Sequence, residues 1–350
     1  MLRIISILLV GLGGVLPASA EVFLLPDDRS DVIGAIVEVP ARAEETFVEI
    51  ARRHGLGYND LLRANPKVDP WLPGEGTPVR LPTMFILPPG PRSGVVLNLP
   101  EYRLYYYPPA GKDGVRRVHT YPISIGRMDW ETPLGRTTVI AKAVKPSWYP
   151  PASIRKEHAD AGDPLPGVVP PGPDNPLGEY AMRLGLPGYL IHGTNRPAGV
   201  GMRVTHGCIR MFPEDIEVLF GNLPVGTPVR IINEPVKAGW LNGQLYVEAH
   251  VPLAGPEDAQ DAPTEAAQDD GETNDDGQAF VEDAIAAATD ELVDGDVDLT
   301  AMTRAFVAAT RERTALANWK RMEWVVSEGL GLPIQVGEER PAETVVRVGR

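Results

Sequence analysis

A chain of 350 residues is long enough to bury two or three cores, and its apolar share, 43%, is that of an ordinary folded protein. The formal charge of −14 is unevenly spread: residues 254–300 carry sixteen Asp and Glu and no Lys or Arg, which leaves 33 basic against 31 acidic residues elsewhere. A nearly neutral body lacks the basic footprint that nucleic-acid binding requires, and a single cysteine excludes an internal disulfide framework.

The amino terminus reads as an export signal. Arg3 precedes an apolar run from Ile4 to Leu16, followed by Pro17-Ala18-Ser19-Ala20, an A-x-A cleavage pattern. The run falls short of the ~20 residues that span a bilayer, so the expectation is a signal peptide over residues 1–20, cleaved before Glu21, and not a transmembrane anchor. Lipidation would need a cysteine at the new terminus, and the sole cysteine, Cys208, lies far downstream.

Residues 37–83 read as a compact unit. Val37-Glu38-Val39 is extended, and Thr46 to His54 is helical, with Phe47, Ile50, Ala51 and His54 on one face and Gly55 to cap the end. A second short helix runs from Asn59, as N-cap, through Leu61, Leu62 and Ala64 to the Asn65-Pro66 stop; Thr77 to Pro82 closes the unit as a strand. This β-α-α-β order resembles a LysM module, which implies binding to the glycan of peptidoglycan or chitin. The Gly-Asp-Thr run usual at the start of the first LysM helix is here Ala43-Glu44-Glu45-Thr46. Two uses therefore stay open, glycan binding and a packing unit that orients its neighbour.

Beyond the stiff Pro88-Pro89-Gly90-Pro91 linker the period changes from helical to alternating. Strands are expected over 94–99, 103–107, 118–125, 137–141, 180–184, 189–192 and 228–232. One helix is expected over Pro213 to Phe220, with Pro in its first turn and Gly221 after it. Residues 93–234 thus read as a mainly β domain. Within it, 149–178 is dense in Pro and Gly and has no period, which predicts a long ordered loop, either a lid over the site or a surface excursion. Residues 254–277 read as a disordered acidic linker. Residues 278–335 read as a helical C-terminal segment, with Met302, Phe306, Ala309, Leu316, Trp319 and Met322 as the apolar stripe of a docking helix over 300–328.

The chemistry concentrates between residues 189 and 211. Cys208 stands two residues after His206 and sixteen after His192, and an extended Thr205 to Cys208 would put His206 and Cys208 on one side of the chain. A loop over 193–204 would return His192 to the thiol. Two imidazoles beside a thiol meet the requirement for cysteine nucleophilic catalysis, and with backbone donors they predict a depressed thiol pKa. A zinc site is the competing use of the three, but no second cysteine or neighbouring acidic residue completes a ligand set, so no metal is expected.

Ile191-His192-Gly193-Thr194, followed by Thr205-His206-Gly207-Cys208-Ile209-Arg210-Met211, resembles the catalytic motif of YkuD-type L,D-transpeptidases. Pro122 to Arg127, Trp130 to Gly135, Asn175 to Arg183 and Pro197 to Gly201 resemble the Gram-negative periplasmic branch. The resemblance implies a YkuD-type β-sandwich, no cofactor, and periplasmic work on peptidoglycan stem peptides and glycan. It implies Cys208 as nucleophile toward the meso-diaminopimelate carbonyl of a tetrapeptide stem, with release of D-Ala. His192 is then the general base, His206 the support of the thiolate, and the N–H groups of Gly207 and Cys208 the oxyanion hole. Arg210, Thr205 and Gly193 are candidate substrate-binding residues; for Arg210, holding a substrate carboxylate and bracing the loop both stay open. The acyl acceptor implied is a diaminopimelate amine, the C-terminal lysine of an outer-membrane lipoprotein, or water, and carbapenems are the implied covalent inhibitors of Cys208. The alternatives are a non-catalytic peptidoglycan-binding scaffold and a hydrolase of the same linkages.

Overall fold

The computed structural model describes residues 21–26, 30–127, 130–253 and 298–340. The expected signal peptide, the acidic linker and residues 278–297 of the C-terminal segment lie outside them. In chain order, β1 (Glu21–Leu24), β2 (Val32–Gly34), β3 (Val37–Pro40), α1 (Phe47–Arg53), α2 (Tyr58–Ala64), β4 (Pro78–Leu81) and β5 (Met84–Ile86) come first. β3 and β4 pair antiparallel around the two helices, giving the expected β-α-α-β order. Thr46 N–H donates to Glu49 Oε2 at 2.6 Å to start α1, and Gly55, at φ +61°, supplies the left-handed residue that ends it. The second helix begins earlier than expected. Gly57 is its N-cap, its N–H donating to Asp60 Oδ2 at 2.9 Å, so Asn59 lies inside the helix and is buried.

The central domain follows with β6 (Gly94–Asn98), β7 (Arg103–Tyr107), β8 (Arg117–Pro122), β9 (Ile125–Gly126), β10 (Gly135–Val144), α3 (Ala152–Asp160), β11 (Tyr180–Leu184), β12 (Leu190–His192), β13 (Arg203–Thr205), β14 (Ile209–Arg210), α4 (Pro213–Asn222) and β15 (Pro228–Ile232). The expected sandwich is realised as one nine-stranded sheet, ordered β1-β8-β7-β6-β15-β10-β11-β12-β14. It curls on itself, because Ser124, two residues past β8, exchanges both backbone hydrogen bonds with Arg210 on β14, at 2.8 and 3.1 Å. Strand alternation then serves two cores. Val95, Leu97, Leu104 and Tyr106 point to an inner core capped by Ile216 and Leu219 of α4. Val96, Tyr105, Tyr107 and Val118 point outward into a core shared with Phe47, Ile50 and Leu61 of α1 and α2.

Polar contacts fix this second interface. Arg52 of α1 makes a forked pair with Glu214 at the start of α4, at 2.7 and 2.9 Å, and Asp60 pairs with the fully buried Arg103 at 2.8 Å. Tyr58 N–H donates to Val200 O at 3.3 Å, and the two backbones come so close that a Cβ added at Gly201 would lie 2.3 Å from the Gly57 Cα.

The C-terminal part corrects the sequence reading. β16 (Val236–Leu241), β17 (Gln244–Ala249), α5 (Leu299–Ala309), β18 (Ala315–Ala317), α6 (Trp319–Glu328) and β19 (Ile334–Glu339) form a four-stranded sheet, β16-β17-β19-β18, with two helices packed on it. The segment is therefore mixed and not helical, and the domain edge at 234 cuts off its first two strands. The single helix expected over 300–328 is interrupted because Ala315–Ala317 pairs with β19, and Asn318 Oδ1 then caps α6 by accepting from Arg321 N–H at 3.1 Å. Of the expected stripe, Met302 and Met322 are buried, whereas Leu316 and Trp319 are exposed.

Candidate active site

His192 ends β12 and Arg210 ends β14. Parallel pairing sets Ile191 opposite Ile209 and His192 opposite Arg210, so the chain over 193–204 does return on itself as the spacing requires. His192 is 5% exposed, and its Nδ1 lies 2.6 Å from the Gly193 carbonyl. A carbonyl only accepts, so Nδ1 carries the proton and Nε2 keeps its lone pair. Burial, followed by the charge of Arg210, pushes the His192 pKa down to about 3 against the opposing effect of that hydrogen bond. The ring is thus neutral over the neutral range, with its lone pair on Nε2. Gly193 is buried, its N–H donates to Tyr180 O at 3.0 Å, and its carbonyl is the His192 acceptor, so both backbone groups act to hold the imidazole.

Cys208 directly precedes β14 and is partly exposed. Its thiol donates to Gly188 O at 3.6 Å. Burial pushes this thiol up, outweighing the backbone hydrogen bond of Leu190 and the charge of Arg210. The expected depression is therefore not found, and the reason is geometric: among the described residues the hydrogen bonds of the two imidazoles go to Gly193 and Glu157. The strand argument that put His206 beside Cys208 also fails. Gly207 has φ +94°, a conformation open to glycine, and a Cβ there would meet Tyr189 Cε1 at 2.9 Å. Residues 206–208 consequently bend, and Thr205 Oγ1–H closes the bend by donating to Cys208 O at 2.6 Å.

Sequence reasoning missed two participants. Thr132 is buried; its Oγ1 accepts from Gly126 N–H at 3.1 Å and donates to Gly207 O at 2.9 Å. Since the Gly207 carbonyl and the Cys208 N–H share one peptide plane, holding the first aims the second. Glu157 is the other. The 149–178 excursion is ordered, tied at its base by the Trp148–Val169 bridge and by the buried Asn175, whose side-chain amide donates to Pro146 O at 2.9 Å. It also carries a helix, α3, whose Glu157 reaches His206 Nε2 at 3.0 Å and Arg127 at 2.7 Å. The acidic neighbour that the local sequence lacked is thus delivered from 49 residues away.

Arg210 lies opposite His192 on β14. Among the described residues its Nε and Nη1 are buried without a hydrogen-bond partner, and burial with the nearby charge of Arg196 lowers its pKa to about 10. A guanidinium bracing its loop would have spent those donors.

The family model of the L,D-transpeptidase catalytic domain, YkuD, matches residues 92–231. Three Escherichia coli K12 proteins named as probable L,D-transpeptidases are similar over longer stretches. YbiS is 43% identical over 244 residues, covering 69% of this chain and 78% of YbiS. YcfS is 44% identical over 248 residues, covering 68% and 75%, and ErfK/SrfK is 42% identical over 239 residues, covering 67% and 76%. Identity of this level across most of both chains, with the motif residues gathered as described, makes this chain a member of the L,D-transpeptidase family.

Proposed function

We propose that the protein is a periplasmic cysteine L,D-transpeptidase, exported by cleavage after Ala20, that works on the tetrapeptide stems of peptidoglycan. The observation that carries the reading is the parallel pairing of β12 with β14, which sets a neutral His192, its lone pair on Nε2, opposite Arg210, two residues after the sole cysteine. As substrate binds, Nε2 takes the thiol proton while Sγ attacks the carbonyl of meso-diaminopimelate. The N–H groups of Gly207 and Cys208 receive the oxyanion, the second of them aimed through Thr132. The tetrahedral intermediate collapses to a thioester as His192 returns the proton to the departing D-Ala amine. An acceptor amine then attacks the thioester and regenerates the thiol. A diaminopimelate amine gives a 3→3 cross-link, a lipoprotein lysine gives an anchor, and water gives hydrolysis. His206, tied to Glu157, holds the approach to the turn that bears Cys208, and Thr205 and Gly193 shape the substrate's path by holding the turn and the base.

The test is product analysis by mass spectrometry after incubating the mature protein with disaccharide-tetrapeptides, with and without a lysine-ended lipoprotein tail peptide. Loss of D-Ala and a cross-linked or tail-linked product are expected from the wild type and neither from Cys208→Ala. Identical products from both proteins would leave only the scaffold reading.

Arg210 holds the carboxylate of the terminal D-Ala. A charge-assisted pair of this kind contributes about 1.5–3 kcal/mol, so Arg210→Gln should lower kcat/KM for the tetrapeptide by about 10–100-fold. Amidating the D-Ala carboxylate should cost the wild type as much and the variant little more. Additive losses would remove Arg210 from this role. The LysM-like unit binds the glycan strand in a cleft of about 490 Å³ lined by Ala41, Arg42, Arg53, His54 and Glu75. The β-α-α-β order of the unit and the charged Arg42, Arg53 and Glu75 at the cleft support that assignment.

A further inference from the structure

Helix α3 touches the body of the protein through few groups. Ile154 is buried and Glu157 and His158 are half-buried, at spacings that share one face, while the other positions of the helix are exposed. Burying one isoleucine contributes about 1.5–3 kcal/mol at most, so the directed part of the docking falls to Glu157. Its two carboxylate oxygens divide the work: Oε1 accepts from Arg127 Nη2 at 2.7 Å, and Oε2 faces His206 Nε2 at 3.0 Å. A carboxylate held by an arginine only accepts, so the proton of this contact is on His206 Nε2. The His206 ring is further constrained edge-on to Trp130, 5.2 Å between centroids at 73°. From His206 the chain passes through the Gly207 bend to Cys208 in two residues.

We propose that Glu157 is a positioning residue through which docking of α3 fixes the ring orientation and proton placement of His206, so that the excursion over the site and the turn bearing Cys208 act as one unit. The proposal rests on the reading of Cys208 as the nucleophile. Burial lowers the His206 pKa most, and of the titratable groups that face it, Glu157, Arg127 and His158, the arginine lowers it and the carboxylate raises it. Removing the carboxylate therefore removes the one anion that acts on the ring among the described residues and frees one edge of it.

The experiment uses the full mature chain and compares Glu157→Gln, Glu157→Asp and, as a control on the outward face, Lys156→Gln. Imidazole NMR, with His206→Gln to assign the signal, is expected to show His206 titrating at lower pH in Glu157→Gln and unmoved in Lys156→Gln. D-Ala release from disaccharide-tetrapeptide is expected to lose about tenfold in kcat in Glu157→Gln with KM changed less than threefold, and to recover in part in Glu157→Asp. An unmoved His206 titration, an unchanged kcat, or a loss confined to KM overturns the positioning role. Absence of D-Ala release from the wild type overturns the transpeptidase reading instead, whatever His206 does.

Discussion

His192→Ala is expected to slow D-Ala release by about 10²–10⁴-fold, the range of a positioned general base, with little change in KM. The argument lies in two opposed shifts. Burial and Arg210 push His192 down to about 3, and burial pushes Cys208 above the ordinary thiol range. Both shifts favour a neutral thiol and a neutral imidazole over a thiolate and an imidazolium, so proton transfer accompanies attack and does not precede it. Two pH signatures follow. Alkylation of Cys208 by iodoacetamide should keep rising with pH through the neutral range and show no plateau below pH ~9. Turnover should not decline between pH 7 and 5 through protonation of His192, because the ring stays neutral until the pH nears 3. An alkylation plateau below pH 7 would reveal a preformed thiolate and defeat the neutral-pair mechanism. Stability carries the same sign: the unfolded imidazole binds a proton below about pH 6.5 that the folded one refuses until about 3, so this contribution is full above 6.5 and is lost as the pH falls through that window.

Lys237→Met is expected to destabilise the protein by about 3–5 kcal/mol in denaturant unfolding, more than any surface ion pair could account for. Lys237 is 3% exposed at the meeting of β5, β7 and the β16–β17 hairpin. Its Nζ donates to Ile86 O at 2.7 Å and to Glu101 at 2.8 Å, and it pairs with Glu248 at 2.9 Å. Burial alone would push Glu101 up, but Lys237 and His250 hold its carboxyl below the usual value. Glu248 in turn accepts from Ile86 N–H at 2.6 Å and pairs with His250 at 2.7 Å. Without the ammonium, two buried carboxylates face one another. Combining Lys237→Met with Glu101→Gln and Glu248→Gln should recover a large part of the loss, since it is the uncompensated charge that costs. A single-variant loss under 1 kcal/mol would show that the ammonium does not hold the two buried carboxylates in place.

Legibility in the sequence followed the range of the interactions. α1, α2 and α4 carry their own stop and start signals at Gly55, Asn65-Pro66 and Pro213, and their limits fall within a residue or two of expectation. Strands β6, β7, β11 and β15 alternate strongly enough to be read alone. β1, β2 and β5 are three or four residues long and exist through partners such as β8, some hundred positions away, so nothing local announces them. The β16–β17 hairpin does carry a local signal, Asn242 and Gly243 both at positive φ, which a domain boundary at 234 leaves unused. At the site, Cys208, His192 and Arg210 come from one contiguous motif. Glu157 and Thr132 escaped because their roles arise only when distant segments meet, and the bend at Gly207 undid an inference that assumed an extended chain.

The two-faced sheet has a consequence for where this protein can be divided. Val96, Tyr105, Tyr107 and Val118 belong to the stretch matched by the catalytic-domain family model, yet their cover is α1 and α2, outside that stretch. The segment between the two histidines likewise rests on Gly57 and Tyr58 through Val200 and Gly201. Excising 92–231 would expose aromatic surface on one side of the sheet and unseat the strand-to-strand return that sets His192 against Arg210. The stretch matched by the family model and the unit of packing do not coincide in this chain, and a piece that keeps the cover of this sheet begins well before the linker prolines.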